Sequence, residues 1–257
     1  MAGLAETGWL RFETDRAISV WARAARAAAE AALQDPQQRR KWLKCEGTWF
    51  VGVDALDNDS RGAVAGVPLH GAAVDAAQSL FGPLPFHRAQ LSGIFPGYPR
   101  PRDGEGEAAF RYRLRRDAAH VDGIRIEGRA RKIRELHGYI LGLPLTVQYP
   151  GQSPLVVWEG SVGVMRARLL RALRDVPRAG WGQVDITSPY KVARREIFET
   201  CRRVEVVAQP GEAVLLHRLC LHGIAPWTAA AGSGRLMAYF RPEMPGSVAD
   251  WLGVVSA

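Results

Sequence analysis

A histidine and an aspartate stand two positions apart in the segment His120-Val121-Asp122-Gly123. Alternate side chains of an extended backbone point to the same side, so His120 and Asp122 could bind one metal ion together. A third ligand must come from elsewhere, and His222 is the candidate because it ends an apolar run and precedes Gly223. Two imidazoles and one carboxylate leave adjacent metal positions open, as in non-haem Fe(II) oxygenases. We therefore predict a catalytic metal site at His120, Asp122 and His222.

A cation follows the third candidate ligand. Arg235 lies 13 residues after His222 (235 − 222 = 13), at the start of an apolar run over residues 236–240. Antiparallel neighbouring strands joined by a turn would bring Arg235 to the metal's side of a sheet. A guanidinium pairs with a carboxylate through two parallel hydrogen bonds, so Arg235 could bind a co-substrate that carries a distal carboxylate. The alternative is an arginine at the surface of a strand.

Three other residues compete for a place in the site. Tyr139 begins a candidate strand, and His137 lies two residues before it. The two side chains could share one face of the strand, where either could bind the co-substrate. His217 lies five residues before His222 (222 − 217 = 5), so an uninterrupted strand would put them on opposite faces, whereas a bulge would make His217 the ligand instead. The basic stretch 125–134 is either a solvated loop or a lid that recognises an anionic substrate.

The ordered set His120-x-Asp122, His222-Gly223 and Arg235 resembles the phytanoyl-CoA dioxygenase-like family of Fe(II)/2-oxoglutarate-dependent oxygenases. Residues 209–217 resemble the Pro-Gly turn and apolar strand that lead to the distal histidine of that family. Residues 232–235 resemble its small-residue approach to the oxoglutarate arginine. The resemblance covers about residues 80–241.

The resemblance implies a set of cofactors and a reaction. Fe(II) would be held by His120, Asp122 and His222, and the 5-carboxylate of 2-oxoglutarate would pair with Arg235, with His137 or Tyr139 assisting. O2 would be consumed, 2-oxoglutarate would be decarboxylated to succinate, and a small-molecule substrate would be hydroxylated. The carboxylate of Asp122 favours hydroxylation, because halogenating relatives carry a small residue there.

The elements that would position these residues are helices first and short strands afterwards. We predict helices at 15–34, 37–44, 74–80, 161–176 (with Ser161 as N-cap) and 190–202, and strands at 49–53, 110–116, 120–126, 139–147, 155–158, 204–208, 213–221 and 236–240. Short strands between Gly- and Pro-bearing turns favour an α+β fold with a mainly β core, a double-stranded β-helix (jelly roll). We expect a single domain over 1–257, with a helical N-terminal part at about 1–80 and a jelly-roll core at about 81–245.

Composition limits the other classes. The chain of 257 residues has a net charge of +8, which suits an anionic substrate, and its apolar runs are too short to span a bilayer. The scattered cysteines Cys45, Cys201 and Cys220 fit a reducing cytoplasm, and no oligomeric state is predicted. Two alternatives remain: a cupin-like metalloprotein without 2-oxoglutarate chemistry, and a non-catalytic basic protein, with nucleic acid as a less favoured partner.

Overall fold

The computed structural model describes residues 2–254, which form helices and strands in alternation. The α-helices are α1 (Ala2–Thr7), α2 (Arg16–Gln34), α3 (Pro36–Trp42), α4 (Ala72–Phe81), α5 (Glu107–Leu114), α6 (Ser161–Leu173), α7 (Thr187–Thr200) and α8 (Val248–Trp251), and a 3₁₀-helix spans Arg178–Gln183. The strands are β1 (Trp9–Phe12), β2 (Leu43–Lys44), β3 (Trp49–Phe50), β4 (Gln90–Ile94), β5 (Ile124–Glu127), β6 (Ala130–Ile133), β7 (Tyr139–Pro144), β8 (Leu155–Glu159), β9 (Arg202–Val206), β10 (Ala213–His217), β11 (His222–Ile224) and β12 (Arg235–Phe240).

A large antiparallel sheet dominates the architecture. Its seven strands follow the order β1-β10-β7-β12-β4-β3-β2. A second antiparallel sheet has the order β11-β8-β9, and β5 and β6 form a separate hairpin. The fold therefore mixes helices with a large antiparallel sheet, as predicted. The first 80 residues contribute β1, β2 and β3 to this sheet, so they are not only helical.

One face of the large sheet packs against helices. Leu236, Ala238 and Phe240 of β12 point to this face and share a core cluster with Trp21 of α2. Helix α2 begins after Asp15, whose carboxylate accepts hydrogen bonds from the amides of the first turn, and its Ala-rich sequence favours the helix. Full burial of each large apolar side chain contributes about 1.5–3 kcal/mol to stability.

The opposite face of the large sheet looks towards the smaller one. Ile140, Val214 and Leu216 of the large sheet share a cluster with Val156 and Val157 of β8. Helices α6 and α7 add side chains to the same cluster. The strands that carry His222 and Arg235 thus belong to two different sheets with a common apolar core, rather than to neighbouring strands of one sheet as predicted.

Four local predictions are wrong. The predicted strand 120–126 is a strand only from Ile124 (β5), while Asp122 and Gly123 lie in a turn. Residues 110–116, predicted as a strand, lie mostly in helix α5, which an ion pair between Glu107 and Arg111 one turn apart stabilises. The predicted strand 213–221 breaks after His217, and its last residues form a turn before β11. Ser161 is the first helical residue rather than the N-cap, and its hydroxyl accepts a hydrogen bond from the amide of Leu221 instead.

None of the helices between residues 2 and 254 combines the length and the apolar character that a membrane crossing requires.

Candidate metal centre

The three predicted ligands meet in the structure. His120 and His222 face each other across an isolated antiparallel bridge, in which the amide of each donates a hydrogen bond to the carbonyl of the other, at 2.8 and 3.0 Å. Asp122 follows His120 by two residues on the same segment. One ligand atom from each of the three side chains lies within 4.8 Å of the others. Backbone pairing therefore brings together residues that are 102 positions apart in the chain (222 − 120 = 102).

Both imidazoles present the same nitrogen to Asp122. The Nδ1 atom of His120 lies 3.1 Å from the carbonyl oxygen of Ala118, and that of His222 lies 3.0 Å from the carbonyl oxygen of Cys220. A carbonyl oxygen only accepts, so each Nδ1 donates its hydrogen to the backbone and each Nε2 is the ring nitrogen left to face Asp122. The two Nε2 atoms lie 3.2 and 4.0 Å from Oδ1 of Asp122. Such backbone contacts are what fix the rings of metal-binding histidines.

The protonation states also suit a metal. Burial lowers the pKa of His222 to about 4, and the neighbouring charge of His120 adds to the effect, so the ring is neutral at pH 7. Burial alone would raise the pKa of Asp122, but the hydrogen bond with His120 and the charge of Arg241 outweigh it and hold that pKa well below the usual value. The site therefore offers a neutral imidazole and an ionised carboxylate, the forms that bind metals.

Two neighbours hold Asp122 and the peptide before it. Arg241 donates from Nη1 to Oδ2 of Asp122 at 3.2 Å and from Nη2 to Gln90, which leaves Oδ1 facing the histidines. The hydroxyl of Tyr190 accepts a hydrogen bond from the amide of Val121 at 3.2 Å. No sequence motif singles out Arg241. The one signal is its spacing: Arg241 is six residues after Arg235, and side chains an even number of residues apart on an extended segment point to the same face.

Two glycines permit the close approach of the ligand segments. Gly123 has φ of +84°, and a Cβ atom there would lie 2.2 Å from the carbonyl oxygen of Glu135. A Cβ atom on Gly223 would lie 2.1 Å from the carbonyl oxygen of Asp117. The glycines after Asp122 and after His222 are thus required by backbone packing, which explains both His-x-Asp-Gly and His-Gly in the sequence.

Arg235 is buried in the large sheet. Only 1% of it is exposed, and it lies on the face opposite to Leu236 and Ala238. Its Nη2 donates to the hydroxyl of Tyr239 at 3.0 Å and its Nε donates to Oε1 of Gln148 at 3.4 Å. Its Nη1 is buried without a hydrogen-bond partner, and no carboxylate of residues 2–254 pairs with it. A buried guanidinium without a counter-ion is a strong indication of an anion site.

Tyr139 and His217 do not face this region, which corrects the prediction for Tyr139. Tyr139 packs on the helix-covered face of the sheet, with its ring 5.1 Å from that of Phe81. His217 of β10 lies opposite Tyr139 of β7, so the two side chains point to the same face of the sheet. The preceding residue, Leu216, points to the other face. The reason is the period of two in β7: Tyr139 shares its face with the apolar odd-numbered residues of that strand.

His137 lies in the wall of a large cavity. Its Nε2 is 3.4 Å from Oε2 of Glu135, and its Nδ1 is buried without a partner. His137 precedes β7 and bridges to Glu243, so the alternation of that strand does not extend to it. It therefore faces the cavity while Tyr139 does not. Whether it binds a co-substrate stays a prediction.

The cavity has a volume of about 1040 Å³ and opens beside the metal centre. Its wall includes His120, Asp122 and Arg241. Six further arginines line it: Arg102, Arg113, Arg116, Arg125, Arg131 and Arg194. Two of these belong to the predicted basic stretch, which forms the β5–β6 hairpin rather than an irregular loop.

Comparisons with known proteins bear on the fold. No family model matches the chain, and no curated protein matches it either. Among solved structures, the non-heme alpha ketoglutarate dependent carbocyclase SnoK from nogalamycin biosynthesis is 14% identical with a TM-score of 0.54, over 99% of this chain and 89% of that chain. At this identity the comparison shows that the chain shares the fold of that solved structure.

Two other solved structures share this fold. AviO1 from Streptomyces viridochromogenes Tue57 is 15% identical with a TM-score of 0.55, over 96% of this chain and 94% of that chain. EctD from S. alaskensis with bound Fe is 15% identical with a TM-score of 0.50, over 93% of this chain and 73% of that chain. The fold resemblance that the sequence motifs predict is confirmed, and at these identities it is the fold that is shared.

Proposed function

We propose that this chain is an Fe(II)/2-oxoglutarate-dependent dioxygenase that hydroxylates a small-molecule substrate and decarboxylates 2-oxoglutarate to succinate. The observation that carries the proposal is the convergence of two Nε2 atoms and one carboxylate oxygen at His120, His222 and Asp122, with both Nδ1 atoms fixed by backbone carbonyls. The shared fold with SnoK and with Fe-bound EctD supports it.

The donor set fits Fe(II). Two imidazoles and one carboxylate, the donors that non-haem Fe(II) oxygenases use, would hold the metal and leave adjacent positions open for small ligands. When bound there, Fe(II), 2-oxoglutarate and O2 would supply the oxidising chemistry, while the protein supplies binding and orientation. Arg241 neutralises the outer oxygen of Asp122 and fixes the carboxylate plane, and Tyr190 fixes the peptide between His120 and Asp122.

Arg235 fits the distal carboxylate of 2-oxoglutarate. Its buried Nη1 lacks a partner, and Gln148 and Tyr239 hold the rest of the guanidinium in place. Arg235 does not line the cavity, but Tyr98 does, and Tyr98 is close enough to Arg235 for the positive charge to lower the pKa of its phenol slightly. Burial, the larger effect, raises the pKa of Tyr98 to about 12, so its hydroxyl stays protonated and can donate to an incoming carboxylate.

Four further assignments belong to the same proposal. We assign the two facing antiparallel sheets to a double-stranded β-helix, and residues 1–257 to one domain, because strands from the beginning and the end of the chain pair in the large sheet. We assign the protein to the cytoplasm, in keeping with its free cysteines Cys45, Cys201 and Cys220. His137 is assigned to the co-substrate side of the cavity because its Nδ1 has no partner.

The proposal is tested by loading the full chain with Fe(II) and 2-oxoglutarate without air. We expect a visible charge-transfer band, and succinate once O2 is admitted. Asp122→Ala should lose both, while the exposed Asp185→Ala, as a control for the loss of one carboxylate, should keep both. Absence of the band from the wild-type chain, or its persistence in Asp122→Ala, would contradict the proposal.

A further inference from the structure

Three arginines in the cavity wall stack on aromatic rings. The guanidinium carbon of Arg194 lies 5.7 Å from the ring centroid of Tyr190 and 5.4 Å from that of Phe198. Arg131 lies 5.8 Å from the ring of Tyr190, and Arg116 lies 4.3 Å from the ring of Phe198. The rings are shared, so the three cations form one group, which we call the arginine cluster.

No carboxylate neutralises the arginine cluster. Among residues 2–254, neither Arg116, Arg131 nor Arg194 forms an ion pair, and the buried Nε of Arg194 has no hydrogen-bond partner. Other arginines of the same wall are paired, as Arg113 is with Glu105. Stacking satisfies the flat face of a guanidinium but leaves its N–H edge free. Three like charges held together with free donors suit an anion.

The arginine cluster is tied to the metal centre by a shared tyrosine. Tyr190 carries Arg131 and Arg194 against its ring, and its hydroxyl accepts the amide hydrogen of Val121, between the two ligands His120 and Asp122. A group bound at the cluster therefore keeps a fixed position relative to the metal. The cavity volume of about 1040 Å³ leaves room for an organic body between them.

We propose that the arginine cluster binds a phosphate group of the organic substrate and so directs its body towards the metal centre. One guanidinium can donate two parallel hydrogen bonds to a carboxylate and so neutralise it alone. A phosphate group carries up to two negative charges and three terminal oxygens, so it can accept hydrogen bonds from several guanidinium groups. This assignment of a substrate class rests on the proposed hydroxylase function, but binding of the phosphate itself does not require it.

The experiment titrates the metal-free full chain with inorganic phosphate by isothermal calorimetry. Arg194→Gln and Arg116→Gln should each weaken binding about tenfold, the effect of losing one charge-assisted hydrogen bond. The matched controls are Arg195→Gln and Arg115→Gln, which remove the same charge from exposed neighbouring positions of α7 and of the α5 C-cap. They should change the affinity less than about twofold, since exposed charges are screened by solvent and salt.

Unchanged binding in Arg194→Gln, or an equal loss in Arg195→Gln, would overturn the proposal. Arg194→Lys keeps the positive charge but loses the planar pair of guanidinium donors, so it should bind phosphate more weakly than wild type. Wild-type affinity in this variant would contradict a site that depends on guanidinium geometry. Tighter binding of a single-stranded oligonucleotide with the same dependence on Arg194 and Arg116 would reassign the cluster to nucleic acid. Because the titration uses neither Fe(II) nor 2-oxoglutarate, its failure leaves the charge-transfer test of the hydroxylase intact, and the reverse also holds.

Discussion

The metal centre and the arginine cluster are two charged regions of one cavity that are held in different ways. At the metal centre Asp122 accepts a hydrogen bond from Arg241, and its other oxygen lies 3.2 Å from Nε2 of His120. In the arginine cluster the cations rest on ring faces and have no carboxylate. Hydrogen bonds are directional and cation–π contacts are tolerant, so the first arrangement fixes a geometry and the second accepts a range of ligand positions.

The largest expected effect separates the ligand histidine from its near neighbour in sequence. His222→Ala removes one of three ligands and should lower Fe(II) affinity by more than about a hundredfold, beyond the loss typical of residues that only support a ligand. His217→Ala is the matched control, because His217 lies outside the trio. Fe(II) binding is measured by calorimetry without air, and equal losses in the two variants would place the site elsewhere.

The next effect concerns the buried cation. Arg235→Ala should raise the dissociation constant of 2-oxoglutarate about a hundredfold or more, since a buried charge-assisted pair contributes about 2–5 kcal/mol to binding when one partner is truncated. Fe(II) affinity should stay within about threefold of wild type, because the ligands are untouched. Titration of the charge-transfer band measures both quantities. Activity that is independent of Arg235 would favour a cupin-like metalloprotein without 2-oxoglutarate chemistry.

A smaller effect tests how firmly Asp122 is held at the metal centre. Arg241→Gln removes the cation that holds Oδ2 of Asp122 and should weaken Fe(II) binding by about 10- to 100-fold, as the loss of a supporting hydrogen bond to a metal ligand does. Arg241→Lys should recover part of this loss, since it restores the charge but not the fork. Equal affinities of the Gln and Lys variants would mean that Arg241 acts only through packing.

The smallest effect concerns the stability of the fold and a paired arginine of the cavity wall, Arg113. Its two hydrogen bonds, at 2.8 and 2.6 Å, lower the pKa of Glu105 to about 2. A carboxyl with a lowered folded-state pKa stabilises the fold above its unfolded pKa of about 4.3, and the contribution disappears as the pH falls towards 2. Urea unfolding should show Glu105→Gln about 1 kcal/mol less stable than wild type at pH 7. A difference that does not shrink between pH 5 and pH 3 would rule out this ion pair as its source.

Local spacing pointed to two of the three proposed ligands. His120 and Asp122 are two residues apart and both lie beside His222, and Arg235 begins β12, which the sequence shows as an apolar run. Alternation along β7 misplaced Tyr139, because a period of two fixes which residues share a face but not which face looks into the cavity. Residues 110–116 misled for a related reason: only Arg113 of α5 is buried, so its apolar pattern carries little information.

Contacts between distant segments could not be predicted. Arg241, the residue after the end of β12, meets Asp122, and Tyr190 reaches Val121 from helix α7. Such pairs depend on how the sheets and helices stack, and no single-chain pattern encodes that. The arginine cluster is of the same kind, since Arg116, Arg131 and Arg194 come from three separate parts of the sequence.

The reciprocal backbone bonds between His120 and His222 have a consequence for hydrogen exchange. Each amide proton can exchange with deuterated water only when its hydrogen bond across this bridge breaks. The same opening of the backbone pair separates the two imidazoles. The two amides should therefore exchange at one common rate, slower than exposed amides of the β5–β6 hairpin. The lifetime of the assembled site can thus be read from two backbone protons before any metal is added.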